Sequence, residues 1–168
     1  MKKIFLILCL CFCVGLVGCA TKYKQAKKIT KYGYFDSGVQ DNVYDVQFKA
    51  NSYSKGVVVY DYAMLRCCEV CLENGYDSFN VLSANNYSSS TNYVATNVYG
   101  NSAYTYPVSQ YYPYYSLRIE CFKDDEGAYK AEQVRNNLIK KNNLKKLKAK
   151  YNLWNYIFVA NTIISNRA

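Results

Sequence analysis

"SKGVVVYDYAMLRCCEVCLENG", Ser54 to Gly75, decides how the rest of the chain is read. Its apolar residues recur at helical spacing. At 100° per residue Val57, Met64, Leu65, Cys68, Cys71 and Leu72 share one face, and Tyr62, Arg66, Glu69 and Glu73 gather on the other. The spacing predicts a helix over 54–74, with Ser54 as N-cap, Gly75 as the left-handed residue that ends it, and Arg66, Glu69 and Glu73 as a wet face. Asp61 lies among the apolar residues and is read as an anchoring side chain rather than a catalytic one.

Strand patterns flank this helix. In "NVYDVQFKA" Tyr44, Val46, Phe48 and Ala50 alternate with Asp45, Gln47 and Lys49, as in a half-buried strand. The preceding "YGYFDSG" reads as a shorter partner, with Asp36-Ser37-Gly38 as turn chemistry. Residues 78 to 84 form a second inner strand with Phe79 and Val81 on one face. In "YSLRIEC" Tyr115, Leu117, Ile119 and Cys121 alternate with Ser116, Arg118 and Glu120. Asp124-Asp125-Glu126 precede a helix in "GAYKAEQVRNNLI", where Ala131, Val134 and Leu138 share a stripe. The fold class expected is α+β: a small mixed or antiparallel sheet with two helices, in the order β-β-α-β-β-α.

Composition changes abruptly between the last two strands. "ANNYSSSTNYVATNVYGNSAYTYPVSQYYPYYS" holds nine of the chain's 20 tyrosines and no charged residue. Residues 86–114 read either as a loop or as a hairpin turning at Gly100-Asn101. Tyr, Ser and Asn together make an adaptable uncharged contact surface. Tyr93, Tyr99, Tyr104, Tyr106, Tyr111 and Tyr112 are the candidate binding residues.

The chain opens "MKKIFLILCLCFCVGLVGCA". Two lysines precede a run of fourteen uncharged, mostly apolar residues, which at 1.5 Å rise spans about 21 Å, short of a ~30 Å bilayer core. This suits a secretory signal over residues 1–18. Leu16-Val17-Gly18-Cys19 resembles the lipobox of bacterial lipoproteins, which implies cleavage after Gly18 and a lipid on Cys19. Ala20, where Asp would favour retention at the inner membrane, implies an outer-membrane protein facing the periplasm. Residues 19–31 carry five lysines and no acid and read as a basic tether. Residues 141–168 form a basic amphipathic tail.

The net charge of +9 divides unevenly: residues 32–126 carry five basic and eleven acidic side chains, and residues 127–168 nine basic and one acidic. In the cell envelope the basic flanks meet anionic lipid or another envelope polymer rather than nucleic acid. The partners expected are the membrane, through the N-terminal lipid, and an envelope protein or polysaccharide.

Catalytic constellations are scarce. With no histidine, Ser-His-Asp, Cys-His and His-based zinc machinery are excluded, and no Gly-rich phosphate loop appears. An enzyme is not expected, nor a cofactor, nor a metal. Four cysteines follow Cys19, namely Cys67, Cys68, Cys71 and Cys121. The compartment permits a disulfide from Cys68 or Cys71 to Cys121, and buried thiols acting as small hydrophobes are the other reading. The leading expectation is a binding or scaffolding protein, and the alternative is periplasmic thiol-redox or metal handling by these four cysteines.

"NSYSKGVVVYDYAMLRCCEVCLENGYDSF" also resembles an uncharacterised family of small Gram-negative envelope lipoproteins, through Asn51, Tyr53, Ser54, Val59, Asp61, Tyr62, Arg66, Glu69, Gly75, Tyr76, Asp77 and Phe79. "YGY" at 32–34 is similar to that family's opening, and "AYKAEQVRNNL" at 128–138 to its closing helix. Val57 stands where the family often has Glu, Cys67-Cys68 replaces Ala-Ala, and the tail after 141 has no counterpart. The resemblance implies an envelope location and an α+β domain over 32–140, with no established activity or site residues.

Overall fold

The computed structural model describes residues 19–100, 102–123 and 127–144. The expected signal sequence, the acidic Asp124-Asp125-Glu126 and the tail beyond Leu144 lie outside the described residues. The elements run β1 (Gly33–Gln40), β2 (Val43–Lys49), α1 (Gly56–Glu73), β3 (Ser78–Asn86), β4 (Ser89–Tyr99), β5 (Ser102–Tyr112), β6 (Tyr114–Phe122), β7 (Tyr129–Lys130) and α2 (Ala131–Lys141). The class is α+β, with antiparallel sheets and, among the described residues, no closed barrel. One sheet has the order β1-β2-β6-β3-β7, and β4 and β5 form a two-stranded ribbon. Asp36, Ser37 and Gly38 are not a turn but lie within β1, which turns instead at Asp41-Asn42.

Both helices lie on one face of the sheet, α2 packed against α1. The inward residues of the strands supply the core: Val46 and Phe48 from β2, Phe79 from β3, Leu117, Ile119 and Cys121 from β6. Each large side chain so buried contributes about 1.5–3 kcal/mol. That packing has to sustain α1, because its first turns carry Gly56 and the β-branched run Val57-Val58-Val59, all poor helix formers. Ser54 does not cap the helix. Its hydroxyl accepts from Thr21 N–H and donates to Asn51 Oδ1, and the helix begins after Lys55. At the other end Gly75, at φ 77°, closes a Schellman motif: Gly75 N–H reaches Leu72 O and Tyr76 N–H reaches Cys71 O. Asn143, at φ 53°, ends α2 the same way.

Of the expected wet face of α1, Arg66 and Glu69 are buried and Glu73 is exposed. Every residue from Asp61 to Cys71 is covered, and Glu69 is only 2% exposed. The reason is a polar cluster that carries its own partners. Arg66 Nε donates to Asp36 Oδ1 of β1 at 2.8 Å, its NH2 to Glu73 Oε2 at 2.9 Å and its NH1 to Glu69 Oε2 at 3.2 Å. Its guanidinium also lies over the Tyr34 ring, 4.7 Å from the centroid. Burial works against the charge on Arg66, but the hydrogen bonds to Asp36 and Glu73 outweigh it and push the pKa up. Tyr23 closes the cluster, its hydroxyl bonded to Glu69 Oε2 and its ring against Tyr34 and Tyr62.

Residues 19–31 therefore do not behave as a free tether. Thr21 bonds Asn51 and Ser54, Asn51 Nδ2 donates to the carbonyl of Cys19, and Gln25 bridges to Tyr34 alongside β1. Gly33 makes this docking possible. At φ 131°, any side chain there is strained, and a Cβ would sit 2.3 Å from Lys24 O.

Asp61 is an anchor, as expected, but of helix to helix: Lys141 Nζ lies 2.8 Å from its carboxylate and Asn142 Nδ2 donates to it at 3.1 Å.

Two substitutions test these supports by urea denaturation. Arg66→Ala strands Glu69 in the core and costs roughly 3–5 kcal/mol, and Arg66→Lys recovers only part, because three guanidinium nitrogens are in use. A loss below about 1 kcal/mol would remove the cluster from the account of stability. Gly33→Ala costs at least about 2 kcal/mol by expelling residues 24–26 from the edge of β1.

Candidate functional site

The sheet has an open face opposite the helices. Its middle is polar: Asp45 and Gln47 of β2, Ser116 and Arg118 of β6, Ser83 and Asn85 of β3. With Tyr87 and Tyr114 they line a groove of about 440 Å³. Arg118 binds Asp45 in a two-pronged pair at 2.7 and 2.8 Å. Hydrogen bonding from Arg118 holds the Asp45 carboxyl below its usual range, against the smaller effect of burial. Tyr114 donates to Gln47 Oε1 at 2.6 Å, its ring lies 5.5 Å from that of Tyr87, and Lys49 Nζ lies over it.

The groove continues into the Tyr/Ser/Asn-rich segment. Residues 86–114 are a hairpin rather than a loop. The pairing Ser83↔Arg118 to Asn86↔Tyr115 and the pairing Ser89↔Tyr112 to Tyr99↔Ser102 share one register. Tyr87 N–H to Tyr114 O, at 2.8 Å, joins them. The paired strands β3-β4 and β5-β6 are thus one long antiparallel ladder whose outer half leaves the sheet. Eleven residues at about 3.4 Å each carry the ribbon roughly 35 Å outward.

Pleating then sorts the side chains. Tyr93, Ala95, Asn97 and Tyr99 of β4 share a face with Tyr104, Tyr106, Val108, Gln110 and Tyr112 of β5. Bonds within that face, Asn97 Nδ2 to Tyr106 OH and Tyr112 OH to Gln110 Oε1, agree. It is the same face as Tyr87, Tyr114 and the polar groove. Five of the six candidate tyrosines therefore stand in one strip: Tyr93, Tyr99, Tyr104, Tyr106 and Tyr112. Tyr111 does not; it lies on the other face, against Gly56 and beside Tyr115, where it packs the ribbon base on the start of α1. Sequence reasoning missed Tyr87, Tyr114 and the Asp45–Arg118 pair as part of this surface. The signal that could have found them was the common alternation of residues 83–99 and 102–118 about Gly100, visible once both are taken as one hairpin.

The cysteines form a separate, buried locus. Cys67, Cys68, Cys71 and Cys121 are all free thiols. No disulfide joins Cys68 or Cys71 to Cys121, and of the two Cys71 is the one whose thiol bonds with that of Cys121. Cys71 Sγ also lies 3.1 Å from Ser78 O, which accepts its proton. Burial pushes Cys67 and Cys68 up, and the bond to Cys121 followed by burial does the same to Cys71. Among the described residues no group of Cys, Asp or Glu is arranged to hold a metal ion. Cys19, by contrast, is exposed.

Comparison of the chain with protein-family models, curated proteins and solved structures finds no match.

A protein beginning at Ala20 carries only the four buried cysteines. They stay unreactive toward a thiol reagent in the native state and react after denaturation; fast native labelling would contradict their burial. Their raised pKa values also carry a pH signature. Above 9.0, the ordinary thiol value, the unfolded chain ionises and the folded one does not, so stability falls as pH rises. Cys68→Ala removes up to about 1.4 kcal/mol per pH unit from that slope.

Proposed function

We propose that this is a lipid-anchored cell-envelope protein, facing the periplasm from the outer membrane, that binds an extended uncharged glycan along its tyrosine strip. One observation carries the reading: Tyr87, Tyr93, Tyr99, Tyr104, Tyr106, Tyr112 and Tyr114 share one face of a single continuous ladder. Flat rings with hydroxyl tips stack on the apolar faces of sugar rings and bond their hydroxyls at little entropic cost. At the strip's foot, Gln47, Asn85, Asp45 and Arg118 add donors and acceptors for hydroxyl groups. No charged residue lies between 84 and 117, which favours a neutral chain over an anionic one.

The lipobox-like Leu16-Val17-Gly18-Cys19 supports the anchor, and the docked N-terminal segment fits it. Asn51 holds Cys19, and the neighbouring Ala50 N–H bonds Pro113 O at the ribbon base. A lipid on Cys19 thus holds the ribbon base beside the bilayer, without a flexible linker. The exposed Lys22, Lys24, Lys27 and Lys28 then face anionic headgroups. Among the described residues no helix is long and apolar enough to cross a membrane. Thiol-redox chemistry has less support, because burial holds Cys67 and Cys68 away from the reactive thiolate, and the bond to Cys121 followed by burial does so for Cys71.

Affinity electrophoresis through gels containing neutral or acidic envelope polysaccharides tests the binding. A neutral polymer retards the protein with little dependence on salt, and Tyr93→Ala with Tyr106→Ala weakens retardation about tenfold or more. Val94→Thr with Val98→Thr, on the opposite face, leaves it unchanged. Retardation that is equal in both double variants, or confined to acidic polymers at low salt, would overturn the proposal. Separately, a palmitate analogue labels the full chain in cells and fails to label Cys19→Ala.

A further inference from the structure

One edge of the five-stranded sheet is covered, and the other is paired only at Ser78 and Phe79 and then broken by a register shift between Val81 and Ser83 of β3. β1 is flanked by residues 24–26, with Ala26 N–H bonded to Tyr34 O and Tyr34 N–H to Lys24 O. The opposite edge is β7, only two residues long and running straight into α2. Short or covered edges are the usual protection against adding a further strand. The projecting ribbon differs, because each of its two strands is an edge along its whole length.

Its two edges are not equivalent. In a ribbon with a two-residue loop, the pair flanking the loop is hydrogen-bonded, and bonded and non-bonded pairs then alternate. Tyr99↔Ser102 is that flanking pair, and the Tyr87 to Tyr114 bond falls on the same alternation. Val94↔Pro107 is then a non-bonded pair. The ring nitrogen of Pro107 therefore points away from β4, midway along the outer edge of β5, where no donor can be offered. β4 has no such block. The outward amides of Ser90, Asn92, Val94, Thr96 and Val98 are offered along a strand with no proline, no charge and no register shift.

We propose that β4 pairs with β4 of a second copy, antiparallel, to make a four-stranded ribbon in the order β5-β4-β4-β5. The strand suits itself. About a two-fold axis at Val94, Tyr93 stands opposite Ala95 of the other copy, Tyr99 opposite Ser89, and Asn92 opposite Thr96. Each ring meets a small residue, Thr91 meets Asn97 as Asn92 meets Thr96, and Ser90 faces Val98. This register pairs outward-facing positions with outward-facing positions, as a ladder requires. A charged strand would meet its own charge in such an arrangement; this one carries none. Residues paired across an antiparallel ladder project to the same side, so the tyrosine strips of the two copies become one surface of twice the width. The axis is normal to the ribbon, so both N-termini can enter one bilayer.

Pro107 makes the assembly closed. With β5 blocked, a second copy leaves no unblocked ribbon edge and growth ends at the dimer. The inference does not rest on glycan binding, since it uses only the backbone edge.

Sedimentation of the full chain in density-matched detergent, from about 1 to about 100 µM, decides it. The wild type passes from monomer to dimer and no further. Thr96→Pro removes an outward amide while sparing the bonds to β5, and weakens dimerisation about tenfold or more. Val94→Lys sets like charges directly opposite each other on the axis, weakens it similarly, and serves where the proline disturbs the ribbon. Thr105→Lys, on blocked β5, changes nothing. A wild type monomeric throughout, a series of species beyond the dimer, or a dimer indifferent to both Thr96→Pro and Val94→Lys would each overturn the proposal.

Discussion

The structure depends on how one buried guanidinium is neutralised. Arg66 lies in the stretch of the helix, Asp61 to Cys71, that is buried throughout, and an unpaired charge there would cost several kcal/mol. Asp36, Glu69 and Glu73 supply the compensation, and each tie has a structural consequence. Asp36 brings β1 over the helix. Glu69 recruits Tyr23, and with it the N-terminal segment that seals the edge of β1. Asp61 repeats the device on another side of α1, where Lys141 and Asn142 draw in the end of α2. Polar side chains thus decide which elements surround the helix, and the apolar strand faces supply most of the burial energy.

A division of labour follows between the two faces of the sheet. The helix side is closed and dry, and its four free thiols serve as small apolar side chains among Phe79, Leu117 and Ile119. The other side is polar and open. A two-stranded ribbon alone is marginal in water. This one is held at its root by the shared register with β3 and β6 and by Tyr111 against Gly56. It can therefore present tyrosines without burying them, as a binding surface requires and a core does not.

Parts of this architecture were legible beforehand. Tyr44-Val46-Phe48 and Leu117-Ile119-Cys121 alternate because only one face of their strands meets the helices, and period two records that directly. Gly75 marked the helix end because the left-handed conformation leaves few other residues available. The position of Asp61 among apolar residues signalled an anchor, though not that the partner would be α2. Other positions misled for physical reasons. Arg66 and Glu69 look like part of one solvated face with Glu73 because a helical wheel weighs each side chain alone, whereas the burial of the first two depends on residues 30 to 46 positions away. Ser54 looks like an N-cap, yet its hydroxyl is taken by Thr21 and Asn51. The lysine-rich segment after Cys19 looks like a linker because its docking uses backbone bonds and one tyrosine, which leave no periodic trace.

The amino-acid sequence by itself determined the local elements, the α+β class and the absence of histidine chemistry, since these follow from residue type and near-neighbour spacing. It also determined that residues 84–117 are uncharged and rich in tyrosine. Only the tertiary structure decided what that segment is. Tyr, Ser, Asn and Thr are compatible with loop and strand alike, and the register that makes a ribbon of them is inherited from β3 and β6, whose pairing is set by a core that β4 and β5 do not enter. That inherited register is what places seven tyrosines and a polar groove on one face, sends Tyr111 to the other, and turns Pro107 outward.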